Sequence, residues 1–172
     1  MKNKKSVTLI GMPASGKSTI GKIIAKKLNW DFIDLDDLIK EKTGKKYDEI
    51  LDQDGERELL NLESQLALGL DFRPGMIFSP GGSIIYSSAA IEKIKAETKI
   101  IYINLSFGEI EKRLKLRSIK GGIVGLKEKG LVTLFQERDV VYRQFADFII
   151  ESDNLNEEQL AQKCFTIAQT EK

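Results

Sequence analysis

The feature that most constrains this chain is Gly11-Met12-Pro13-Ala14-Ser15-Gly16-Lys17-Ser18, which fits G-x-x-x-x-G-K-[ST] at each defined position. The short apolar run Val7–Ile10 precedes it. Ile20, Ile23, Ile24 and Leu28 follow at helical spacing. Strand, glycine-bearing loop and helix in that order build a cradle for an anion. Gly11 and Gly16 let the backbone curl so that successive N–H groups point inward. The helix beginning near Lys17 aims its positive end at the same place. The segment from Gly11 to Thr19, with Ala14 and Ser15 in its turn, therefore predicts a nucleoside triphosphate site. Lys17 is expected to reach the β- and γ-phosphates, and the Ser18 hydroxyl to ligate Mg²⁺. A chance match over a chain of this length is on the order of one in 150, so the pattern is read as functional.

The rest of the composition narrows the chemistry. With 172 residues the chain suits one domain, 1–172. Its 27 basic and 26 acidic residues leave a formal charge of +1, which gives no reason to expect nucleic acid or an anionic membrane as partner. The apolar run after the basic Met1–Lys5 is too short for a signal or membrane segment. The single cysteine, Cys164, cannot form an internal disulfide, which fits a cytoplasmic setting. There is no histidine, so acid–base work must fall to Lys, Arg, Asp, Glu, Ser or Thr with a bound metal.

Strand-like runs at Phe32–Ile33, Met76–Ser79, Lys99–Leu105 and Asp147–Ile150 alternate with helical patterns. The helices are expected over Leu35–Thr43, Tyr47–Asp52, Glu56–Leu70, Ser88–Glu97, Phe107–Leu116, Val132–Phe145 and Glu157–Gln169. That alternation predicts a parallel sheet with helices on both faces, where ligands bind beyond the carboxyl ends of strands. Three loops leaving strands carry chemistry: Gly11–Thr19, Asp34–Asp37 and Pro80–Ser83. Asp34 and Asp36, read as an extended pair, share one face. One could assist the metal through water while the other accepts the proton of an attacking hydroxyl; Asp is also favoured at a helix N-terminus. No apolar strand ends in a metal-binding Asp followed by a catalytic Glu, and no Asn-Lys-x-Asp occurs, which argues against motor and switch proteins. Arg117–Lys129, rich in glycine and basic residues, reads as a lid that closes over the triphosphate. Glu63 is assigned to a charged helix face outside the site, and Trp30 to packing beside the first helix.

Five segments in this order resemble the shikimate kinase family from Val7 to about Ile167. GMPASGKSTIGKIIAKKL is similar to its phosphate loop and helix, and FIDLDDLIKEKTG to its F-x-D-x-D-x-x-I-E-x-x-x-G segment. GERELLNLE resembles G-E-x-x-F-R-x-x-E, SPGGSII resembles the G-G-G loop, and ERDVVYRQFAD resembles R-x-x-x-Y-x-x-x-A-D. The resemblance implies a three-layer nucleoside-monophosphate-kinase-like α/β fold with a five-stranded parallel sheet of order 2-3-1-4-5. It also implies substrate-binding helices over about 36–70 and a lid over about 117–129. It implies ATP and Mg²⁺ at Lys17, Ser18 and Asp34, with Asp36 holding the acceptor hydroxyl and Gly81 and Gly82 pressing backbone against the substrate. Arg143 is expected to pair with the substrate carboxylate and Arg113 to lie along the adenine. The partner is then a small hydroxy acid, and the family favours a monomer. Two departures stand out. Leu59-Leu60 replaces the family's Phe-Arg, and the lid lacks its Arg-Pro; the third glycine of the loop is Ser83. Arg57, Lys120 or Arg117 could compensate for the lost arginines. A kinase of another small alcohol and a non-catalytic nucleotide-binding module stay open as alternatives.

Overall fold

The computed structural model describes residues 6–116 and 122–170. Five parallel strands form one sheet: β1 (Ser6–Ile10), β2 (Asp31–Asp34), β3 (Met76–Ser79), β4 (Thr98–Asn104) and β5 (Phe148–Glu151). Their order across the sheet is β2-β3-β1-β4-β5, as the family resemblance implied. Alternation along the inner strands fills both faces. Val7 and Leu9 of β1 and Ile101 and Ile103 of β4 join one buried cluster, while Ile10, Ile100 and Tyr102 join the other.

The helices are α1 (Lys17–Leu28), α2 (Leu35–Thr43), α3 (Tyr47–Gln53), α4 (Glu56–Gly69), α5 (Ser88–Glu97), α6 (Phe107–Leu116), α7 (Leu126–Phe145) and α8 (Glu157–Gln169). Helices α1 and α8 pack together over the cluster containing Ile20, Ile24, Leu160 and Cys164. Helices α2 to α5 close the opposite face through Leu35, Ile39, Ile50, Leu59 and Ile91. Trp30 packs beside α1 as expected.

Two local expectations change. Asp34 does not share an extended face with Asp36. It ends β2 and caps α2, its Oδ1 accepting from the Asp36 N–H at 3.0 Å, so Asp36 stands in the helix's first turn. Residues 126–129, expected in an irregular lid, form a helical turn entered through Gly125. That turn is broken from 131–145 at Gly130, whose φ of 71° and ψ of 162° leave helical geometry. Arg117, Lys120 and Gly121 of the expected lid lie outside the described residues.

Candidate active site

The loop after β1 sits where the order of neighbouring strands reverses, between β3 and β4. Gly11 cannot carry a side chain there, because a β-carbon would come within 2.7 Å of the Ile103 carbonyl oxygen. Ala14 and Gly16 both take positive φ, 67° and 98°, which curls the loop before α1 begins. Lys17 is 8% exposed, and its Nζ donates to the Gly11 and Met12 carbonyls at 2.9 Å each. The ammonium thus rests on the loop's own carbonyls.

A cavity of about 260 Å³ opens beside this loop. Lys17, Ser18, Asp34 and Asp36 line its floor. Ser79, Gly81, Gly82 and Ser83 form one wall, and Tyr47 and Asp48 of α3 another. Ile123, Val124 and Arg138 complete the lining. Loss of water around the Asp36 carboxyl, followed by the charge of Asp34, raises it from 3.8 to about 6, while Lys17 pulls the other way. The residue still presents surface to the open mouth, so a small acceptor can reach a carboxyl poised near neutrality. The Ser18 hydroxyl lies 3.4 Å from that of Ser79. Together with Asp34 these hydroxyls offer hard oxygen donors. Among the described residues no group of three or more Asp, Glu, Cys or His side chains could hold a metal by itself. Such a donor set suits a cation that keeps much of its water and shares phosphate oxygens, as Mg²⁺ does.

On the other flank of the loop a second cavity, about 230 Å³, is lined by Ser15, Gly16 and Thr19 together with Arg113, Ser152 and Leu155. Arg113 is held by Glu109 Oε1 at 2.9 Å and by the Ala14 carbonyl at 3.4 Å. The expected nucleotide residues are therefore gathered around one loop, with a slot on each side of it.

Arg143 is not in the cavity. Its side chain is 42% exposed and pairs with Asp139 Oδ2 at 2.9 Å and Glu151 Oε1 at 3.4 Å. The arginine that lines the cavity is Arg138, 1% exposed, which is the first residue of the R-x-x-x-Y pattern. Its Nη2 donates to the Val124 carbonyl at 2.8 Å, and its Nε to the Tyr86 hydroxyl at 3.3 Å. Burial works against its charge, but the neighbouring Tyr142 and Tyr86 outweigh that, and its pKa moves up. The cavity that Asp36 lines therefore also keeps a permanent cation.

Glu63 also departs from expectation. It is 1% exposed, on the inner face of α4 rather than on a charged surface. Burial pushes its carboxyl up to about 7, against the downward pull of a hydrogen bond from Ser83. Gly81 and Gly82 both lie where close approach demands glycine. A β-carbon on Gly81 would overlap Glu63 Oε1, and one on Gly82 would sit 2.9 Å from Arg138 Nη1. Arg57 is exposed and stands outside the cavity. The segment 122–125 is bonded down beside the cavity: the Gly125 N–H donates to Glu56 Oε1 at 2.8 Å, and Ile123 and Val124 are buried.

A phosphate-binding loop on a 2-3-1-4-5 sheet, with an acid and an arginine lining one small cavity, defines the class of small-molecule kinases with nucleoside-monophosphate-kinase-like architecture. The family model for shikimate kinase matches residues 13–169. A shikimate kinase from Sulfurihydrogenibium sp. is 33% identical over 162 residues, covering 94% of this chain and 96% of that one. One from Clostridium botulinum (strain Eklund 17B / Type B) is 34% identical, covering 87% of this chain and 88% of its own. The structure of shikimate kinase from Acinetobacter baumannii in complex with shikimate superposes with a TM-score of 0.84 at 26% identity, over 95% of this chain and 92% of that one. The chain belongs to the shikimate kinase family.

Proposed function

We propose that this protein transfers the γ-phosphoryl group of ATP to a hydroxyl of shikimate, giving shikimate 3-phosphate, with Mg²⁺ as the accompanying ion. The observation that carries this reading is the meeting of Lys17, Asp36 and Arg138 in one cavity beside the phosphate loop. ATP would lie along Gly11 to Thr19 with its base towards Arg113. Ser18 and Asp34 would hold Mg²⁺, which neutralises charge on the β- and γ-phosphates when bound. Lys17 draws charge onto the same oxygens. Asp36 orients the acceptor hydroxyl and takes its proton as the bond to phosphorus forms. Gly81 and Gly82 let the acceptor approach backbone, and Arg138 pairs with its carboxylate. The segment 122–125, with its apolar Ile123 and Val124, limits water at the transferring group, which would otherwise divert ATP to hydrolysis. The helices over about 36–70 make the acceptor side of what we take to be one domain. We further propose that the protein works in the cytoplasm as a monomer. No described helix is long and apolar enough to cross a membrane, and the one cysteine, Cys164, is free and buried.

Coupled assays of ADP release with ATP, Mg²⁺ and shikimate test the central reading. Saturable turnover that depends on shikimate is expected. ATP binding without turnover of shikimate, or brisk turnover of a different hydroxy acid alone, would replace it.

The two arginines give a sharper check. Arg138→Lys keeps the charge but loses the planar fork, and should raise KM for shikimate by about 10- to 100-fold with KM for ATP little changed. Arg143→Ala should leave both within about twofold, because an exposed ion pair contributes little. The reverse ranking would put the carboxylate on the other side of α7.

A further inference from the structure

We propose that Ser83 is a positioning residue: its hydroxyl, backed by that of Tyr47, holds the buried Glu63 carboxyl as the anchor of the Gly81–Gly82 wall, and so sets how tightly the acceptor is held. The inference rests on the acceptor site proposed above and concerns residues whose part in it is otherwise unassigned.

Three elements are linked through Ser83. Glu63 comes from α4, Ser83 from the loop after β3, and Tyr47 from the start of α3. Ser83 Oγ donates to Glu63 Oε2 at 2.5 Å. The Tyr47 hydroxyl lies 3.3 Å from the same Oγ. A serine hydroxyl has one proton, so while Ser83 donates to Glu63 it can only accept from Tyr47. The chain of hydrogen bonds therefore runs from Tyr47 to Ser83 to Glu63. Glu63 Oε1 is buried and has no hydrogen-bond partner; it presses on Gly81, where a β-carbon would overlap it. On the other side the Gly82 carbonyl accepts from the Tyr142 hydroxyl at 2.6 Å, and Arg138 packs against the same glycine. The wall is thus clamped between Glu63 behind it and the Tyr142–Arg138 pair in front.

A carboxylate this deep ordinarily needs strong donors around it. On a helix the residue three positions earlier lies on the same face and is the natural place for a cationic partner. Here that residue is Leu60, half-buried against the apolar cluster of α4. The groups that bear on Glu63 are instead the Ser83 hydroxyl, the more distant charges of Asp36 and Arg138, and Tyr47. Neutral hydroxyls hold what a guanidinium from position 60 would hold by charge. Leu60 and Ser83 are then one linked choice rather than two unrelated departures. It also follows that Arg138 is the arginine of α4 and α7 left to face an acceptor carboxylate.

The test is a pair of substitutions measured singly and together. Ser83→Ala keeps the side-chain stem and removes the donor. It should raise KM for shikimate about tenfold while kcat stays within about threefold. Leu60→Arg in the Ser83→Ala background should recover most of that loss, because a guanidinium can then reach the carboxyl. Tyr47→Phe, which removes only the far end of the chain, should shift KM in the same direction by a smaller factor, and serves if Ser83→Ala does not fold. A readout independent of turnover is ¹³C NMR of the Glu63 carboxyl and of the Gly81 and Gly82 amides in the ligand-free chain. Ser83→Ala should move the carboxyl titration to higher pH and shift both amides, and Leu60→Arg should move the titration to lower pH. Unchanged KM with an unmoved titration in Ser83→Ala, or a KM loss that Leu60→Arg does not relieve, overturns the proposal. If the unaltered protein does not phosphorylate shikimate, the functional reading falls alone. The NMR comparison then decides the positioning role, an unmoved carboxyl and unmoved amides rejecting it.

Discussion

Lys17→Ala should lower kcat by about a thousandfold or more. Removing one preorganised donor to a developing charge typically costs 10²–10³ in rate, and here a full positive charge leaves with it. The geometry explains why nothing nearby can substitute. Lys17 begins α1, so its position is set by the helix, and its Nζ is already held at 2.9 Å by the Gly11 and Met12 carbonyls. Its charge is thereby held at the loop, and that placed charge is lost with the side chain. Arg113 lies in the other cavity and Arg138 is tied to Val124. Steady-state kinetics with ATP and shikimate, beside a thermal melt to confirm folding, make the measurement. A folded Lys17→Ala protein within about tenfold of the original kcat would show that the loop binds phosphate without taking part in the transfer.

Why the phosphate loop was readable and other parts of the site were not comes down to the range of the contacts. The loop is local: eight consecutive residues make their own cradle, and the alternating apolar strands around it announce a buried parallel sheet. The arginine of α7 is a different matter. Arg138 and Arg143 are five residues apart, which turns the second about 140° around the helix from the first. Only the packing partner says which one faces in. Tyr142, 0% exposed, stands four residues after Arg138 and marks the buried face, while Arg143 is four after Asp139 and takes the usual surface pair. Glu63 did carry a usable signal, since the buried positions of α4 are Leu59, Glu63 and Ala67, stepping by four. An acid inside such a stripe is a buried acid, and surrounding Glu56 and Glu58 obscured that. Tyr47, Asp48, Ile123 and Val124 reach the cavity through contacts distant in sequence, and no spacing rule identifies them. The Asp34–Asp36 pair shows the opposite limit: both line the cavity as expected, yet through a helix cap rather than a shared strand face.

Asp36→Asn should reduce kcat by about 10²–10⁴ while ATP affinity stays within about threefold, because the carboxyl lies outside the Arg113 cavity proposed for the base and makes no hydrogen bond to the phosphate loop. The expected pH dependence follows from its environment. Desolvation and the charge of Asp34 lift the carboxyl to about 6, so it is ionised above that pH and protonated below it. A base works only when ionised. In the unaltered protein kcat/KM should therefore climb as pH rises through about 6 and level off above 7, since kcat/KM reports groups of the free enzyme. Asparagine keeps the size and part of the hydrogen bonding but cannot take a proton, so the residual activity of the variant should lose that ascending limb. Glu63, at about 7, titrates close by, and the two are separable because only the Asp36 substitution should flatten the limb in kcat as well as in kcat/KM. A variant that keeps near-normal kcat, or keeps the same ascent near pH 6, would mean that another group receives the acceptor's proton and that Asp36 serves only to hold the helix start in place.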